Sequence, residues 1–355
     1  MEKNLRICLL GCGRIAKRHS ELLGNNLIEN ASLAAVCDID ITLAKNIGDK
    51  FNIPFYTDHH QMMTEIKPDV VVILTSSGLH SKHTIELASY KAHIIVEKPM
   101  ALSLDDADEM IRVCKKNNVN LYVVKQNRFN LPIIKLKGAI EQGRFGKLVL
   151  GTVRVRWCRD QSYYDQACWR GTWAQDGGVL TNQAIHHVDM LLWMMGEVEL
   201  VFGLGATQLV DIEAEDTGIA NLRFKNGALG VIEATTATRP KDIEGSISIM
   251  GEFGYVEVGG FAMNQIKHWE FSNKLQNDED ILKKYSVNPP NVYGYGHKVF
   301  YDSVVSSIIK NKSDSIDGYS GRKSLELVSA IYESIESKKP VYLNKLTRKI
   351  KLGNK

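Results

Sequence analysis

Arg6-Ile7-Cys8-Leu9-Leu10-Gly11-Cys12-Gly13-Arg14-Ile15-Ala16 is an apolar run of strand length that breaks at a G-x-G-x-x-A loop and passes into an amphipathic stretch. A glycine pair alone marks many turns. Here the loop follows a strand-like run, opens a helix, and is followed by Asp38 at the end of the next apolar run, 22 residues past Ala16. That is the context a dinucleotide-binding loop requires. Gly11 suits the tight turn, Gly13 lets backbone N–H groups approach a pyrophosphate, and Ala16 permits close helix–strand packing. The helix N-terminus would then face the anion. A carboxylate at Asp38 accepts hydrogen bonds from ribose hydroxyls and repels a 2′-phosphate, and no Arg or Lys follows within Ile39–Leu43. NAD is therefore expected in preference to NADP.

Outward from this loop, the first 125 residues alternate short apolar runs with amphipathic stretches. Arg6–Leu10, Leu33–Cys37, Val70–Leu74, His93–Val96 and Leu121–Val124 are rich in Val and Ile. Runs of that length suit parallel strands covered on both faces. Between them lie helical stretches such as Asp105–Asn117, which Ser103 could cap. The alternation predicts a Rossmann-type α/β domain over residues 1–125, a doubly wound parallel sheet.

The pattern changes near Gln126. After a helix-like stretch, Pro132–Gln142, come strands without intervening helices: Leu148–Trp157, Val198–Gln208, Asp216–Lys225, Ala228–Thr238, Ser246–Met250 and Gly254–Val258. In Val149–Trp157 the alternation sets Val153 and Val155 against Arg154 and Arg156. Gly294–Ile309 and Arg322–Lys338 read as late helices. Residues 126–355 are thus expected to form an α+β domain for substrate and oligomerisation, with an open, mostly antiparallel sheet. An uncovered sheet face is an association surface, which predicts a homo-oligomer, most simply a tetramer.

Bulk properties narrow the class. With 44% hydrophobic and 24% charged residues the composition is globular, and a net charge of +3 makes no case for a nucleic-acid partner. No apolar run approaches the ~18 residues of a membrane helix, and the charged start, Met1 to Arg6, does not read as a signal peptide. A cytoplasmic protein without membrane partners is expected. The six cysteines show no C-x-x-C spacing, so no metal is expected.

Two clusters carry chemistry. Glu97-Lys98-Pro99 ends a strand, at the carboxyl edge where open α/β sheets bind ligands. In the stretch from Asp176 to Asp189, helical spacing from Asn182 onward puts Asn182, His186 and Asp189 on one face. Ile185, Val188, Leu192 and Met195 form a separate apolar stripe. The polar row reads as a face turned to a cleft, whereas His187 falls between the rows and reads as a packed or half-exposed histidine. If a dinucleotide bound at the glycine loop oxidises a hydroxyl, the reaction requires a base near neutral pKa, which His186 offers. Lys98 would stabilise developing alkoxide charge and Asn182 would orient the substrate. The two roles could be exchanged, since a desolvated Lys also serves as a base.

The glycine loop, the Glu97-Lys98-Pro99 triplet and the Asn182…His186…Asp189 segment resemble the glucose–fructose oxidoreductase/inositol dehydrogenase/rhizopine-catabolism (Gfo/Idh/MocA) family over essentially the whole chain. The resemblance implies a Rossmann domain joined to a C-terminal α/β domain with an open sheet, and oxidation of a ring hydroxyl of a sugar or cyclitol. It implies a cofactor site of Gly11, Gly13, Arg14, Ile15, Asp38, Ser76, His80, Glu97, Lys98 and Gln126, with Lys98 and His186 at the reacting carbon. Many members have Asp where this chain has Asn182, and Gly where it has Asp176, which puts in doubt a proton relay through a carboxylate at 182.

Three further stretches, Val124–Asn130, Tyr163–Gln166 with Trp169–Trp173, and Asn182–His187, resemble one branch of that family, the UDP-N-acetylglucosaminuronate 3-dehydrogenases. These act in making the diacetamido-uronic sugars of bacterial surface polysaccharides. The resemblance implies a UDP-linked 2-acetamido-2-deoxy-glucuronate as substrate, oxidised at C3. A diphosphate and a carboxylate call for a locally basic site. Arg154, Arg156, Arg159 and Arg170, with Arg128 from the domain junction, offer forks for phosphate or carboxylate. Trp157, Tyr163, Tyr164, Trp169 and Trp173 offer stacking surfaces. The substrate set is Arg128, Tyr164, Trp169, Arg170, Asn182 and His186, with Arg170 assigned to an anionic group and Tyr164 to the sugar. A dehydrogenase of a free sugar or inositol is the alternative. A catalytically silent NAD-binding regulator would have lost Lys98 and His186.

Overall fold

The computed structural model describes residues 3–261, 263–276, 278–285, 296–312 and 316–354. The chain forms two compact units: the residues up to Lys125 with His297–Arg322, and Gln126–Gly296 with the residues from Lys323 onward. Among the described residues no helix is long and apolar enough to cross a membrane.

In the first unit, β1 (Leu5–Leu10), α1 (Ala16–Gly24), β2 (Ala31–Cys37), α2 (Ile41–Phe51), β3 (Phe55–Tyr56), α3 (His59–Ile66), β4 (Val70–Ile73), α4 (His80–Leu87), β5 (His93–Val96), α5 (Leu104–Asn117) and β6 (Leu121–Val123) alternate along the chain. The strands form one parallel sheet in the order β3-β2-β1-β4-β5-β6, the doubly wound Rossmann arrangement. Its central strands are β-branched and buried along their length, as Val70–Ile73 illustrates, because helices cover both faces. Helix ends are set locally. Ser103 Oγ accepts from Asp106 N at 3.1 Å to start α5, and Asn118 closes it at φ 57°. Strand order reverses between β1 and β4, so the loops that follow them border the crevice where such sheets take ligands.

The second unit contains α6 (Leu131–Glu141), β7 (Leu148–Arg156), α7 (Gln161–Tyr164), α8 (Ile185–Met195), β8 (Val198–Ala206), β9 (Thr217–Phe224), β10 (Leu229–Thr235), β11 (Glu244–Gly251), β12 (Gly254–Gly259), β13 (Gln265–Phe271) and α9 (Asp278–Lys284). After α10 (Gly296–Lys310) and α11 (Gly318–Ser337), β14 (Val341–Tyr342) completes the sheet. Its order is β13-β12-β11-β7-β10-β9-β8-β14, antiparallel throughout except for the parallel β7–β10 pair. The inward face of β7, with Val153 and Val155 fully buried, lies under α8. A Cβ added at Gly151 would stand 2.7 Å from Met195 Cγ and 2.8 Å from Leu191. The outward face keeps Leu204 beside Ile219, and Leu229 and Met250 on either side of Leu150. Those four flanking residues are 40–61% exposed.

The pattern of the sequence placed everything after residue 125 in the second domain, but His297–Arg322 packs with the first unit. Val123 N donates to Ile316 O at 2.9 Å, Tyr122 pairs with Asp317, and Lys125 Nζ donates to Ser320 O at 2.7 Å. These long-range bonds leave no local mark in the sequence. The expected helix start at Gly294 lies outside the described residues, and the sheet gains β13, a strand beyond those expected.

Candidate functional site

In the first unit the glycine loop joins β1 to α1. Gly11 has φ +100°, and a Cβ there would lie 2.7 Å from the backbone of Leu74, so both turn and clearance require glycine. A Cβ at Gly13 would meet nothing within 4 Å. This is open space at the start of α1, suited to an anion approaching backbone N–H groups. Arg14 is exposed and Ile15 half-buried beside it, while Ala16 is buried against the sheet. Asp38 braces the loop from the end of β2. Its Oδ2 accepts from Cys12 N at 2.6 Å and its Oδ1 from Asp40 N at 2.9 Å. The carboxylate remains partly exposed beside the loop. These residues fit a dinucleotide.

Ser76 is half-buried in the turn after β4. Glu97 and His80 turn inward instead of lining a ligand surface. Glu97 accepts from His19 Nε2 at 3.1 Å and from Lys98 N at 3.0 Å. Burial alone would raise its pKa, but His19, His297 and Lys98 hold it down at about 2, so it is a carboxylate. His19 Nδ1 in turn meets Tyr301 Oη at 2.6 Å. His80, also buried, places Nδ1 2.7 Å from Pro99 O and Nε2 3.0 Å from Thr75 O. Burial disfavours its charged form and the two carbonyls favour it, with burial the larger influence. Its ring ties the loop after β4 to the Lys98–Pro99 turn, whose peptide bond is cis. Lys98, half-buried, follows Glu97 at the carboxyl end of β5.

In the second unit His186 stands in the first turn of α8, 9% exposed, with Nε2 3.1 Å from Gln126 Nε2. An amide nitrogen only donates, so this contact makes His186 Nε2 the lone-pair nitrogen. Gln126 Oε1 is shielded and has no hydrogen-bond partner among the described residues, leaving an acceptor for a bound group. Asn182 does not share a helix face with His186. It lies in turns before α8, its N–H donating to Gly178 O and its Nδ2 to Asp176 Oδ1. That loop is held from below by Glu215 and Tyr332. Leu180 N donates to Glu215 Oε1 at 3.0 Å, Tyr332 Oη donates to the same oxygen at 2.9 Å, and Thr181 Oγ1 meets Tyr332 Oη at 2.7 Å. Burial pushes Glu215 up to about 7. In the sequence this brace is marked only by an acidic pair, Glu215-Asp216, entering a strand.

Helix α8 is buried nearly all round, so the expected polar row does not face open space. Asp189 Oδ2 accepts from Arg128 Nε at 2.6 Å and Oδ1 from Arg128 Nη2 at 2.8 Å, with Ser324 Oγ adding a bond at 2.6 Å. Arg128, expected at an anionic substrate group, thus has its fork closed on a carboxylate. His187 is packed, as its position between the rows suggested. It is buried edge-on to Trp157, and desolvation lowers its pKa to about 3.

The basic patch is largely neutralised. Arg154 and Arg156 point from the outward face of β7, opposite α8, because residues alternate along a strand. There they pair with Glu244 and Glu257, and with Glu233 and Glu244. Arg159 pairs with Asp242 at 2.9 Å. Arg170 is different: it donates to Tyr163 Oη at 2.6 Å and lies against the rings of Tyr163 and Trp169, 4.4 and 4.9 Å from their centroids. Gln183 Nε2 also reaches Tyr163 Oη, at 3.4 Å. Tyr164, assigned to the sugar, is buried with its hydroxyl on Thr236 at 3.0 Å, and burial raises its pKa to about 12. The tyrosine beside Arg170 is its neighbour, Tyr163.

Residues 5–125 match the family model described as oxidoreductase family, NAD-binding Rossmann fold, and residues 137–343 match that family's C-terminal alpha/beta domain. NAD is the cofactor of the first unit. Two solved structures are similar over 96% of the chain. The WlbA dehydrogenase of Bordetella pertussis is 39% identical with a TM-score of 0.89, covered over 98% of its own length. That of Chromobacterium violaceum is 40% identical with a TM-score of 0.90, covered over 96%. Both were crystallised with NADH and UDP-GlcNAcA. Myo-inositol 2-dehydrogenase of Thermotoga maritima is 29% identical over 96% of this chain and 99% of its own.

Proposed function

The chain belongs to the Gfo/Idh/MocA oxidoreductase family, and from that membership we propose that it oxidises the C3 hydroxyl of UDP-2-acetamido-2-deoxy-D-glucuronate to the 3-keto sugar. The carrying observation is the 39–40% identity, over 96% of the chain, to two enzymes crystallised with NADH and that uronate. The product would enter surface-polysaccharide sugar synthesis.

When bound, NAD would supply the acceptor for the hydride that leaves the sugar's C3. Gly11, Gly13 and Asp38 hold its pyrophosphate and ribose, and Gln126 Oε1 offers an acceptor for an N–H or O–H group. His186 takes the hydroxyl proton as general base through Nε2, the substrate hydroxyl replacing the Gln126 amide as that nitrogen's partner, an effect worth about 10²–10⁴ in rate. The proposed role of Lys98 is to stabilise, as an ammonium, negative charge developing on a hydroxyl oxygen. Asn182, held by Asp176, orients the sugar, and Arg170, flanked by Tyr163 and Trp169, takes an anionic group of the substrate. Arg128 acts through Asp189 and positions the start of α8.

The myo-inositol relative supports a second reading, oxidation of a free cyclitol or sugar. NAD⁺ reduction measured with the UDP-uronate, UDP-N-acetylglucosamine, glucose and myo-inositol separates the two. Turnover of the UDP-uronate alone is expected; efficient turnover of a free sugar or inositol without it selects the second. The exposed apolar residues Leu204, Ile219, Leu229 and Met250 on the outward sheet face support assembly of several copies, most simply four. Light scattering should return a multiple of the 39.8 kDa chain mass, and a monomer mass would reject it.

A further inference from the structure

A second group of chemistry-bearing side chains lies on the first unit and takes no part in the reaction above. Helix α3 opens with His59 and His60, and α4 presents His83 and Glu86 one turn apart. His59 Nε2 is 3.5 Å from Glu86 Oε2, and His83 Nδ1 is 3.8 Å from the same oxygen. Ligand atoms of His59, His60 and Glu86 all lie within 4.8 Å of one another. The rings are brought together as well, with centroids 4.3 Å apart for His59 and His60 and 5.2 Å for His59 and His83.

Among the described residues, His59 Nε2 and His83 Nδ1 are shielded from solvent and have no hydrogen-bond partner. Leaving such atoms unpaired is costly. The two spacings to Glu86 Oε2, 3.5 and 3.8 Å, are long for hydrogen bonds yet close to the ~3.4 Å edge of a tetrahedron whose ligands stand ~2.1 Å from a central ion, and His60 completes the group at up to 4.8 Å from His59 and Glu86. We propose that His59, His60, His83 and Glu86 form a binding site for a zinc-class transition dication that joins α3 to α4.

The donor set fixes the class of ion. Imidazole nitrogens with one carboxylate oxygen favour zinc and its borderline neighbours over magnesium or calcium, which take all-oxygen shells. Both shielded histidines are ready ligands. Desolvation lowers the pKa of His59, and lowers that of His83 to about 4, so their rings are neutral near pH 7. Tyr90 Oη, 2.8 Å from His60 Nδ1, orients that ring as an outer-shell partner does. Lys82 approaches Glu86 from the other side, its Nζ 3.9 Å from Oε1, leaving Oε2 to the histidines. Among the described residues, the other grouping of this kind, His19, Glu97 and His297, is a poorer host, because His19 is already hydrogen-bonded through both ring nitrogens.

The test titrates untagged, chelator-stripped protein with ZnCl₂ against a chromogenic chelator. One zinc per chain should bind saturably and raise the thermal midpoint. His59→Ala and His83→Ala should each weaken binding at least tenfold. Glu86→Gln, which keeps the side chain's shape, should do the same, while unchanged NAD affinity verifies that each variant is folded. His186→Ala and His19→Ala should leave zinc binding intact. Absence of saturable binding, equal affinity in wild type and Glu86→Gln, or loss only in His186→Ala or His19→Ala would each overturn the assignment.

Discussion

Arg128→Ala discriminates between two roles for one guanidinium, a substrate anchor or the partner of a buried carboxylate. The Arg128 and Asp189 side chains are 9% and 4% exposed, and the pair is bidentate at 2.6 and 2.8 Å. Truncation leaves Asp189 buried with Ser324 as its remaining close donor among the bonds described above. Uncompensated burial of that kind costs about 3–5 kcal/mol. The guanidinium also lies 4.9 Å from the centroid of the Trp193 ring, and losing that contact adds about 0.5–1 kcal/mol. With roughly 2–4 °C per kcal/mol for a unit of about 200 residues, Tm should fall by about 10–20 °C. Circular dichroism on heating reads the shift, and steady-state kinetics below the transition reads KM for the UDP-uronate. Arg128→Met with Asp189→Leu should regain much of the loss, because it removes both charges together. A Tm within 2 °C of wild type, combined with a tenfold rise in KM, would refute the reasoning and return Arg128 to the substrate.

Asp38→Ala should narrow the preference for NAD over NADP, measured as the ratio of the two dissociation constants; an unchanged ratio removes Asp38 from the ribose. His186→Ala should lower kcat by about 10²-fold or more while NAD affinity stays within twofold, and a kcat within threefold of wild type would reject the base. Glu215 has a folded pKa of about 7 against an ordinary 4.5, so the unfolded state releases this proton first as pH rises. Its contribution is therefore fully present below about pH 4.5 and is lost toward pH 7, on the order of 3 kcal/mol. Glu215→Gln should flatten that part of the stability–pH curve, and an unaltered slope would contradict the assignment.

What could be read from sequence was what is local. The loop Gly11–Ala16 and Asp38 are set by turn geometry and strand ends, and Ser103 caps α5 through a bond three residues away. Alternation correctly separated Val153 and Val155 from Arg154 and Arg156. It could not tell that the arginine side is the outward sheet face, where glutamates of β10, β11 and β12 neutralise it. The spacing of Asn182 and His186 fits a helix, yet Gly177 at φ +79° and the bonds to Glu215 and Tyr332 hold that stretch in turns. Tyr163 and Tyr164 are adjacent in sequence, and only burial separates a hydroxyl held by Thr236 from one held by Arg170.

The departure at Asn182 takes a different meaning once Asp176 is placed. The resemblance implied Asp at 182 and Gly at 176, and this chain has an amide and a carboxylate at those positions instead. Asp176 is buried, accepts from Gly171 N at 2.9 Å through Oδ2, and accepts from Asn182 Nδ2 through Oδ1. A carboxylate is therefore present in the loop that leads into His186, contributed by the residue six positions earlier. Its charge is satisfied by donors from two segments of the loop, which suits holding Asn182 in place better than relaying a proton. An amide does not titrate near neutral pH, so Asn182 is not itself the base of the reaction proposed above. His186, whose Nε2 faces the Gln126 amide, and Lys98 are the groups proposed to take the proton and to stabilise the developing charge.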